Sequence, residues 1–312
     1  RLRRTSSMPN DAEPRLTDTV ITVLSGAGSG TLATVAKQPI QRIKWIRQVS
    51  LRSDGAESSY RGIVQQTVRR DGLRGFFRGS LGSIVRNVPH SVLVYSIYPH
   101  AEDVVLEMSR GQHAKEQTSF AVRFWAGYIT LFSATLVTHP LDTLRVRSAV
   151  NKDAERGLLR EARRIVAREG ILVFYKGFVP TLIGAGPRGA VGFGIFETLK
   201  AHTQDWSVCQ EHRSLSKFLY GYVAGVLSET FVYPLDTVRR TQQAHGRMDE
   251  IGDMGWVRAL RHLVNRGGVA CLFNGLAMNL FKNPIGTAVS FAANDYIKDV
   301  LGYKGKDKAE SR

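Results

Sequence analysis

The chain has 312 residues, a formal net charge of +16 and two cysteines. These cysteines, Cys209 and Cys271, exclude a disulfide framework and provide no zinc-binding spacing. The basic excess is compatible with nucleic-acid binding, but no nucleic-acid module is recognisable, and basic residues beside apolar segments suit an anionic membrane surface equally well.

The pattern of apolar residues predicts the same three elements, in the same order, three times along the chain. A glycine-rich apolar helix comes first, at 18–49, 119–150 and 214–244. A short amphipathic helix follows, at about 60–70, 157–168 and 255–266. A second apolar helix completes each unit, at about 79–106, 178–201 and 276–301. We expect the polar segments 1–17 and 304–312 to be flexible tails.

Short motifs show that these units are internal repeats. A basic or polar residue followed by glycine recurs every 98 residues, as Arg78-Gly79, Lys176-Gly177 and Asn274-Gly275. A regular interval of this length is typical of repeated supersecondary units. We therefore predict repeats at 18–110, 111–208 and 209–303, which together form one domain. Apolar helices that also carry polar residues are typical of helices facing a water-filled cavity within a membrane.

A proline lies inside each first helix, at Pro39, Pro140 and Pro234. Proline kinks a helix because it lacks an N–H and clashes with the preceding turn. The residues two and five positions after it are three apart, so they share one helix face. These residues are Gln41 with Lys44, Asp142 with Arg145, and Asp236 with Arg239. An acid and a base repeated inside apolar helices indicate a functional site.

The motif Pro-x-acid-x-x-base, followed by an acid-Gly and an aromatic-basic-Gly turn, resembles the signature of the mitochondrial carrier family over residues 18–302. The first copy departs from it at Gln41. The resemblance implies an all-α membrane protein with six transmembrane helices in three repeats, a pseudo-threefold bundle around a central cavity and a short matrix helix in each repeat. It also implies solute transport by alternating access across the mitochondrial inner membrane, with both termini in the intermembrane space and no cofactor.

The same resemblance implies a matrix gate, in which each acid pairs with the base of another first helix. Gln41 would meet Arg145 through its neutral amide, so we expect a weakened gate. Gln48 and Gln243, nine residues after their prolines, are expected to brace the ion pairs. The implied pairs are Asp142–Arg239 and Asp236–Lys44.

A second gate, on the cytoplasmic side, is implied near the ends of the second helices. In the first repeat Tyr98 fits the family pattern, but Pro99 and Glu102 stand where an acid and a base are expected. This gate is therefore expected to be weak. The matching residues in the other repeats are Phe196, Glu197, Lys200, Asp295 and Lys298.

The substrate site is expected where the three repeats differ in mid-helix, because a gate follows the symmetry of the repeats and a substrate site need not. The positions that match the family's substrate contact points are Arg86-Asn87, Gly184-Ala185 with Arg188 one turn beyond, and Lys282-Asn283. Three cations without acids nearby in sequence predict a polyanionic substrate. The small pair Gly184-Ala185 leaves a flat surface for a ring.

An additional acid, Glu229, is predicted to lie inside the same cavity. Two interpretations stay open for it. It could form an ion pair with Lys282 or Arg188, or it could carry a proton that is coupled to transport.

The pair Gly184-Ala185 and the segment 275–284 resemble carriers of adenine nucleotides and coenzyme A, which favours such a substrate. Arg188 stands where an aromatic ring is expected, and this keeps open a di- or tricarboxylate or phosphate. The departures at Gln41 and Glu102 also leave open a carrier-fold membrane adaptor that does not transport.

The implied partners are a small anionic solute and the lipid bilayer, with anionic lipids such as cardiolipin at the matrix-side glycine turns. A single chain supplies all three repeats, so a monomer is sufficient. A soluble nucleic-acid binder is disfavoured because six apolar helices need lipid to face, and an enzyme is disfavoured because no nucleophile–base pair or metal cluster recurs. Peroxisomal and plastid members of the family leave the organelle open.

Overall fold

A computed structural model describes residues 16–50, 59–109, 120–151, 157–203, 206, 211, 213–245 and 250–301. Within these ranges the regular structure is helical, without β-strands, which confirms the all-α fold class. Cys209, residues 1–15 and 304–312 of the predicted tails, and the predicted repeat boundaries at 110–111 and 208–209 lie outside them.

The helices follow the predicted order in each repeat. The first repeat contains α1 (Leu16–Val49), α2 (Tyr60–Asp71) and α3 (Ser80–Ser109). The second contains α4 (Phe120–Val150), α5 (Leu158–Glu169) and α6 (Phe178–Thr203). The third contains α7 (Arg213–Ala244), the short α8 (Glu250–Asp253), α9 (Trp256–Gly267) and α10 (Leu276–Val300). Each predicted helix is thereby confirmed to within a few residues, whereas α8 was not predicted.

Each repeat also contains a five-residue 3-10 helix between its short helix and its second long helix. These lie at Leu73–Phe77, Ile171–Tyr175 and Val269–Phe273. A segment this short has no detectable hydrophobic periodicity, so the sequence pattern did not predict it.

Two glycines flank the 3-10 helix of the second repeat. Gly170 ends α5 with φ of 82°, and Gly177 precedes α6 with φ of 77°. A Cβ on Gly177 would lie 2.8 Å from the carbonyl oxygen of Arg239 on α7, whereas a Cβ on Gly170 would meet no atom within 4 Å. Gly177 is therefore required both by its backbone conformation and by the close approach of its turn to α7.

We expect Gly177→Ala to destabilise the protein more than Gly170→Ala. Both substitutions place a Cβ on left-handed backbone, at a cost of about 1 kcal/mol. Only Gly177→Ala adds overpacking, worth roughly 1–3 kcal/mol more. Thermal unfolding of the two purified variants measures the difference. Equal unfolding temperatures would contradict the close approach of the Gly177 turn to α7.

The protein forms two compact units. The larger, Lys37–Pro284, contains the buried apolar clusters, among them one around Trp45 and another around Leu263. The smaller combines Arg1–Ala36 with Ile285–Arg312, and in its described part α1 and α10 come together where Gly28 lies against Ile297.

No single helix in the described ranges is both long and apolar enough to qualify as a membrane span. One bent pair, Leu158–Glu169 with Ile171–Thr203, qualifies jointly by length and composition, with an angle of 111° between its two parts.

Candidate functional site

Asp142, the acid of the second proline motif, lies among four arginines. Its carboxylate Oδ1 is 2.6 Å from Arg145 Nη2 and 3.7 Å from Arg86 Nε. The other oxygen, Oδ2, is 3.1 Å from Arg240 Nη1 and also contacts Arg239. The Asp142 side chain is 2% exposed, so one buried carboxylate faces four guanidinium groups.

Asp236, the acid of the third motif, is surrounded differently. Its Oδ2 lies 3.3 Å from Lys44 Nζ, and its Oδ1 lies 3.7 Å from Arg240 Nε. Arg240 therefore contacts both Asp142 and Asp236 and links the two acids. The structure brings together Asp236 with Lys44 and Asp142 with Arg239, as the resemblance implied.

Two glutamines donate hydrogen bonds to these acids. Gln48 Nε2 lies 3.2 Å from Asp236 Oδ2, and Gln243 Nε2 lies 3.0 Å from Asp142 Oδ2. Both lie nine residues after their prolines, at the positions singled out in the sequence. Each amide binds the same carboxylate oxygen as a base, Asp236 Oδ2 with Lys44 and Asp142 Oδ2 with Arg239, and so helps to hold the ion pair in place.

The expected contact between Gln41 and Arg145 was wrong. Among the described residues Arg145 instead pairs with Asp142 on its own helix, and its Nη1 lies 3.4 Å from Asn87 Oδ1. A guanidinium interacts more strongly with a charged carboxylate one turn away than with a neutral amide on another helix. Gln41 is consequently no part of this ion-pair network.

A cavity of about 320 Å³ is lined by Asp236 and by Arg239, the partner of Asp142. Tyr128, Phe132 and Thr135 of α4 form one wall, and His90 of α3 hydrogen-bonds to Thr138 near another. Four of the predicted substrate-contact residues line this cavity: Arg86, Gly184, Ala185 and Arg188.

Gly184 also has a packing role. A Cβ at this position would lie 2.7 Å from Val232 Cγ1 on α7, so the absence of a side chain lets α6 approach α7. Gly184 was expected only to leave a flat surface for a ring. This expectation is incomplete, because the direction in which a Gly184 side chain would project is occupied by Val232.

The remaining contact positions lie elsewhere. Lys282 and Asn283 on α10 do not line this cavity, and in the described chain Lys282 forms no ion pair. Asn87 accepts hydrogen bonds from both Arg86 and Arg145 at 3.4 Å.

Two of the cavity cations lie near acids that are distant from them in sequence. Arg86 lies 3.7 Å from Asp142, and Arg188 lies 3.8 Å from Glu229. The acids belong to α4 and α7, far from their partners in sequence, so residues near in sequence could not reveal them.

Glu229 lies between several polar groups. Its Oε1 is 3.7 Å from Lys44 Nζ and accepts a hydrogen bond of 3.1 Å from Asn279, and its Oε2 is 3.8 Å from Arg188 Nη1. Of the two expected ion pairs of Glu229, the described structure therefore contains the one with Arg188 and not the one with Lys282. Glu229 neutralises part of the positive charge beside the cavity.

Two residues of the expected cytoplasmic gate form an ion pair within one helix. Glu197 pairs with Lys200 on its own helix at 3.3 Å, and their side chains are 42% and 54% exposed. The other expected members lie on α3, α6 and α10: Tyr98, Phe196, Asp295 and Lys298.

Two buried arginines of the proline helices were missed by the sequence analysis. Both nitrogens of the Arg147 fork bind the Glu169 carboxylate, at 2.7 and 3.1 Å, and its Nε donates to the Gln243 carbonyl. Arg42 contacts Asp71 at 3.2 Å through Nη2 alone, and its Nε donates to the Ala149 carbonyl. The acid-Gly motif contains Asp71 in the first repeat and Glu169 in the second. This recurring acid could have predicted that each carboxylate has a basic partner.

Comparison with known proteins shows the family of the chain. The mitochondrial carrier protein family matches residues 17–109, 116–206 and 210–305. The chain belongs to the mitochondrial carrier family. It is accordingly a transporter rather than an enzyme, and a multi-pass protein of the mitochondrial inner membrane.

Individual members of the family are similar over most of their length. The mitochondrial coenzyme A transporter SLC25A42 of Homo sapiens is 32% identical over 89% of this chain and 87% of its own. The mitochondrial adenine nucleotide transporter ADNT1 of Arabidopsis thaliana is 28% identical over 90% of this chain and 86% of its own. The Danio rerio coenzyme A transporter is 30% identical over 89% of this chain and 86% of its own.

Proposed function

We propose that this carrier transports a polyanionic, adenine-nucleotide-like substrate, with coenzyme A or a related adenine nucleotide favoured. The observation that carries the proposal is a charge imbalance beside the cavity. Among the described residues, three acids contact six bases: Asp142, Asp236 and Glu229 with Lys44, Arg86, Arg145, Arg188, Arg239 and Arg240. Unbalanced buried charge is costly, and the phosphate groups of a substrate would neutralise it.

The walls of the cavity support an adenine-containing substrate. Tyr128 and Phe132 present aromatic rings there, and Arg188 offers a guanidinium plane that can also stack on a base. The related proteins named above are transporters of coenzyme A and of adenine nucleotides.

The ion pairs support a gating role for the proline motifs. Asp142–Arg239 and Asp236–Lys44 are formed, whereas in the described ranges the ion pair of Glu197 is with Lys200 on its own helix. This combination fits a state closed on the matrix side. Separation of these pairs would open that side, and pairing across the second helices would then close the cytoplasmic side.

Three further features belong to the same proposal. Both termini face the intermembrane space, an anionic lipid such as cardiolipin binds at the matrix-side glycine turns, and one chain transports alone. The basic residues Arg78 and Lys176 immediately before two of these turns support the lipid contact.

Ligand-induced thermal stabilisation of the purified protein tests the substrate class. A ligand that binds only the folded protein at about 100 times its Kd adds roughly 2.7 kcal/mol to stability. We expect ADP, coenzyme A and adenosine 3′,5′-bisphosphate to raise the unfolding temperature, and malate to leave it unchanged. Stabilisation by malate or phosphate alone would support the alternative of another anion. Stabilisation by none of them would support a non-transporting adaptor.

We predict that Glu229→Gln lowers the KM for an adenine polyanion by about three- to tenfold. The substitution keeps the shape of the side chain but removes the charge that neutralises Lys44 and Arg188. Initial uptake rates in proteoliposomes measure it, with Glu107→Gln on an exposed face of α3 as a control for net charge. An unchanged or higher KM in Glu229→Gln would contradict this role.

A further inference from the structure

Trp45 lies where the first proline motif lacks its acid. It follows Gln41 by one helical turn, so the two residues share one face of α1. The indole is completely buried and packs with Val146 and Ala149 of α4 and Ala244 of α7. Trp45 is therefore in contact with the proline helices of the other two repeats.

Two guanidinium groups lie near the indole ring. The Arg145 Cζ is 5.2 Å from the ring centroid and the Arg240 Cζ is 5.4 Å from it. Both distances are within the range of cation–π contacts, which are strongest with tryptophan and with desolvated cations. Arg145 and Arg240 also bind Asp142, so the ring joins the ion-pair network directly.

The surroundings of the indole nitrogen show which part of the Trp45 ring makes the polar contacts. Trp45 Nε1 is buried and has no hydrogen-bond partner in the described structure. A buried tryptophan usually finds such a partner, so this site does not use the polar edge of the indole. What the site uses is the π-face, which meets Arg145 and Arg240.

We propose that Trp45 replaces the missing acid of the first repeat and latches α1 to α4 and α7 through cation–π contacts with Arg145 and Arg240. The inference rests on the proposed gating role of the proline motifs. The gate then has two ion pairs and one aromatic latch, and Trp45 acts as a positioning residue that sets how easily the matrix side opens.

A cysteine reporter tests this latch without any substrate. Ala244 belongs to the same buried cluster as Trp45, so the thiol of an Ala244→Cys protein is protected while the latch is closed. Cys209 is replaced by serine in every variant. Cys271 stays, because burial raises the pKa of its thiol, which donates to the Leu263 carbonyl at 3.2 Å. Maleimide labelling of this protein in lipid nanodiscs gives the rate of opening.

We expect Trp45→Leu to raise the labelling rate by about three- to tenfold and Trp45→Phe, which keeps an aromatic face, to raise it less. Adding Gln41→Glu to Trp45→Leu should restore the original rate, because a carboxylate one turn before position 45 on the same face of α1 offers Arg145 and Arg240 a substitute for the lost ring. The same rate in Trp45→Leu and the parent, or no rescue by Gln41→Glu, would overturn the proposal, since a packing role alone is insensitive to that charge.

Two further comparisons complete the test. If Trp45→Leu does not yield folded protein, Trp45→Phe with and without Gln41→Glu gives the same comparison. A protein that labels as predicted but moves no adenine polyanion refutes the proposed substrate and supports the latch. A protein that transports, but whose labelling does not respond to Trp45, refutes the latch alone.

Discussion

An Asp142→Asn protein should lose uptake and unfold at a clearly lower temperature. Its carboxylate neutralises four guanidinium groups whose side chains are at most 18% exposed. An amide of the same shape leaves Arg86, Arg145 and Arg239 without this acid and Arg240 with Asp236 alone. Removing one member of a buried ion pair costs roughly 3–5 kcal/mol. Thermal unfolding and proteoliposome uptake measure the two effects.

Asp253→Asn is the matched control for Asp142→Asn. Asp253 pairs with Lys176 at 3.1 Å, and its side chain is 64% exposed. Exposed pairs contribute less than about 1 kcal/mol, so this variant should unfold close to the parent. If Asp142→Asn and Asp253→Asn unfold at the same temperature, Asp142 does not hold the arginines together.

Replacing Arg86 by alanine should reduce kcat/KM for an adenine polyanion by about 10- to 100-fold, the loss expected for a charge-assisted contact with substrate. Its effect on stability should be small or even favourable, because it removes one of the four cations that compete for Asp142. Transport and stability should therefore change independently, which a merely structural role would not produce.

Two variants control the Arg86 experiment. Arg86→Lys keeps the charge but not the planar fork, so it should recover only part of the activity. Arg258→Ala removes an exposed arginine on α9 and should transport like the parent. A large loss of stability in Arg86→Ala, or unchanged transport, would contradict a substrate contact.

The helices and the motif residues could be predicted because the repeats provide an internal alignment. Three copies of one pattern fix the positions of Pro39, Pro140 and Pro234, and with them the helix face that carries Asp142 and Asp236. Helical periodicity then places each element to within a few residues. The pairing of Asp142 with Arg239 needed the family resemblance as well, because nothing within one helix indicates a partner on another.

The asymmetric contacts could not be predicted. Arg240 and Trp45 occur in one repeat only, so self-comparison gave no signal for them. The family resemblance implied that Gln41 meets Arg145, yet Arg145 pairs with the charged carboxylate of Asp142. How many bases share one acid depends on three-dimensional packing, and partners such as Arg188 and Glu229 lie on different helices.

The most direct test of the proposed substrate class is uptake into proteoliposomes that contain the purified wild-type protein. Labelled ADP, coenzyme A, adenosine 3′,5′-bisphosphate, phosphate and malate are compared, with Arg86→Ala and Lys282→Ala in parallel. The account predicts uptake of the adenine polyanions, a kcat/KM about 10- to 100-fold lower in Arg86→Ala and no uptake of malate. Uptake of malate without any adenine compound, or of nothing by folded, lipid-inserted protein, would contradict it.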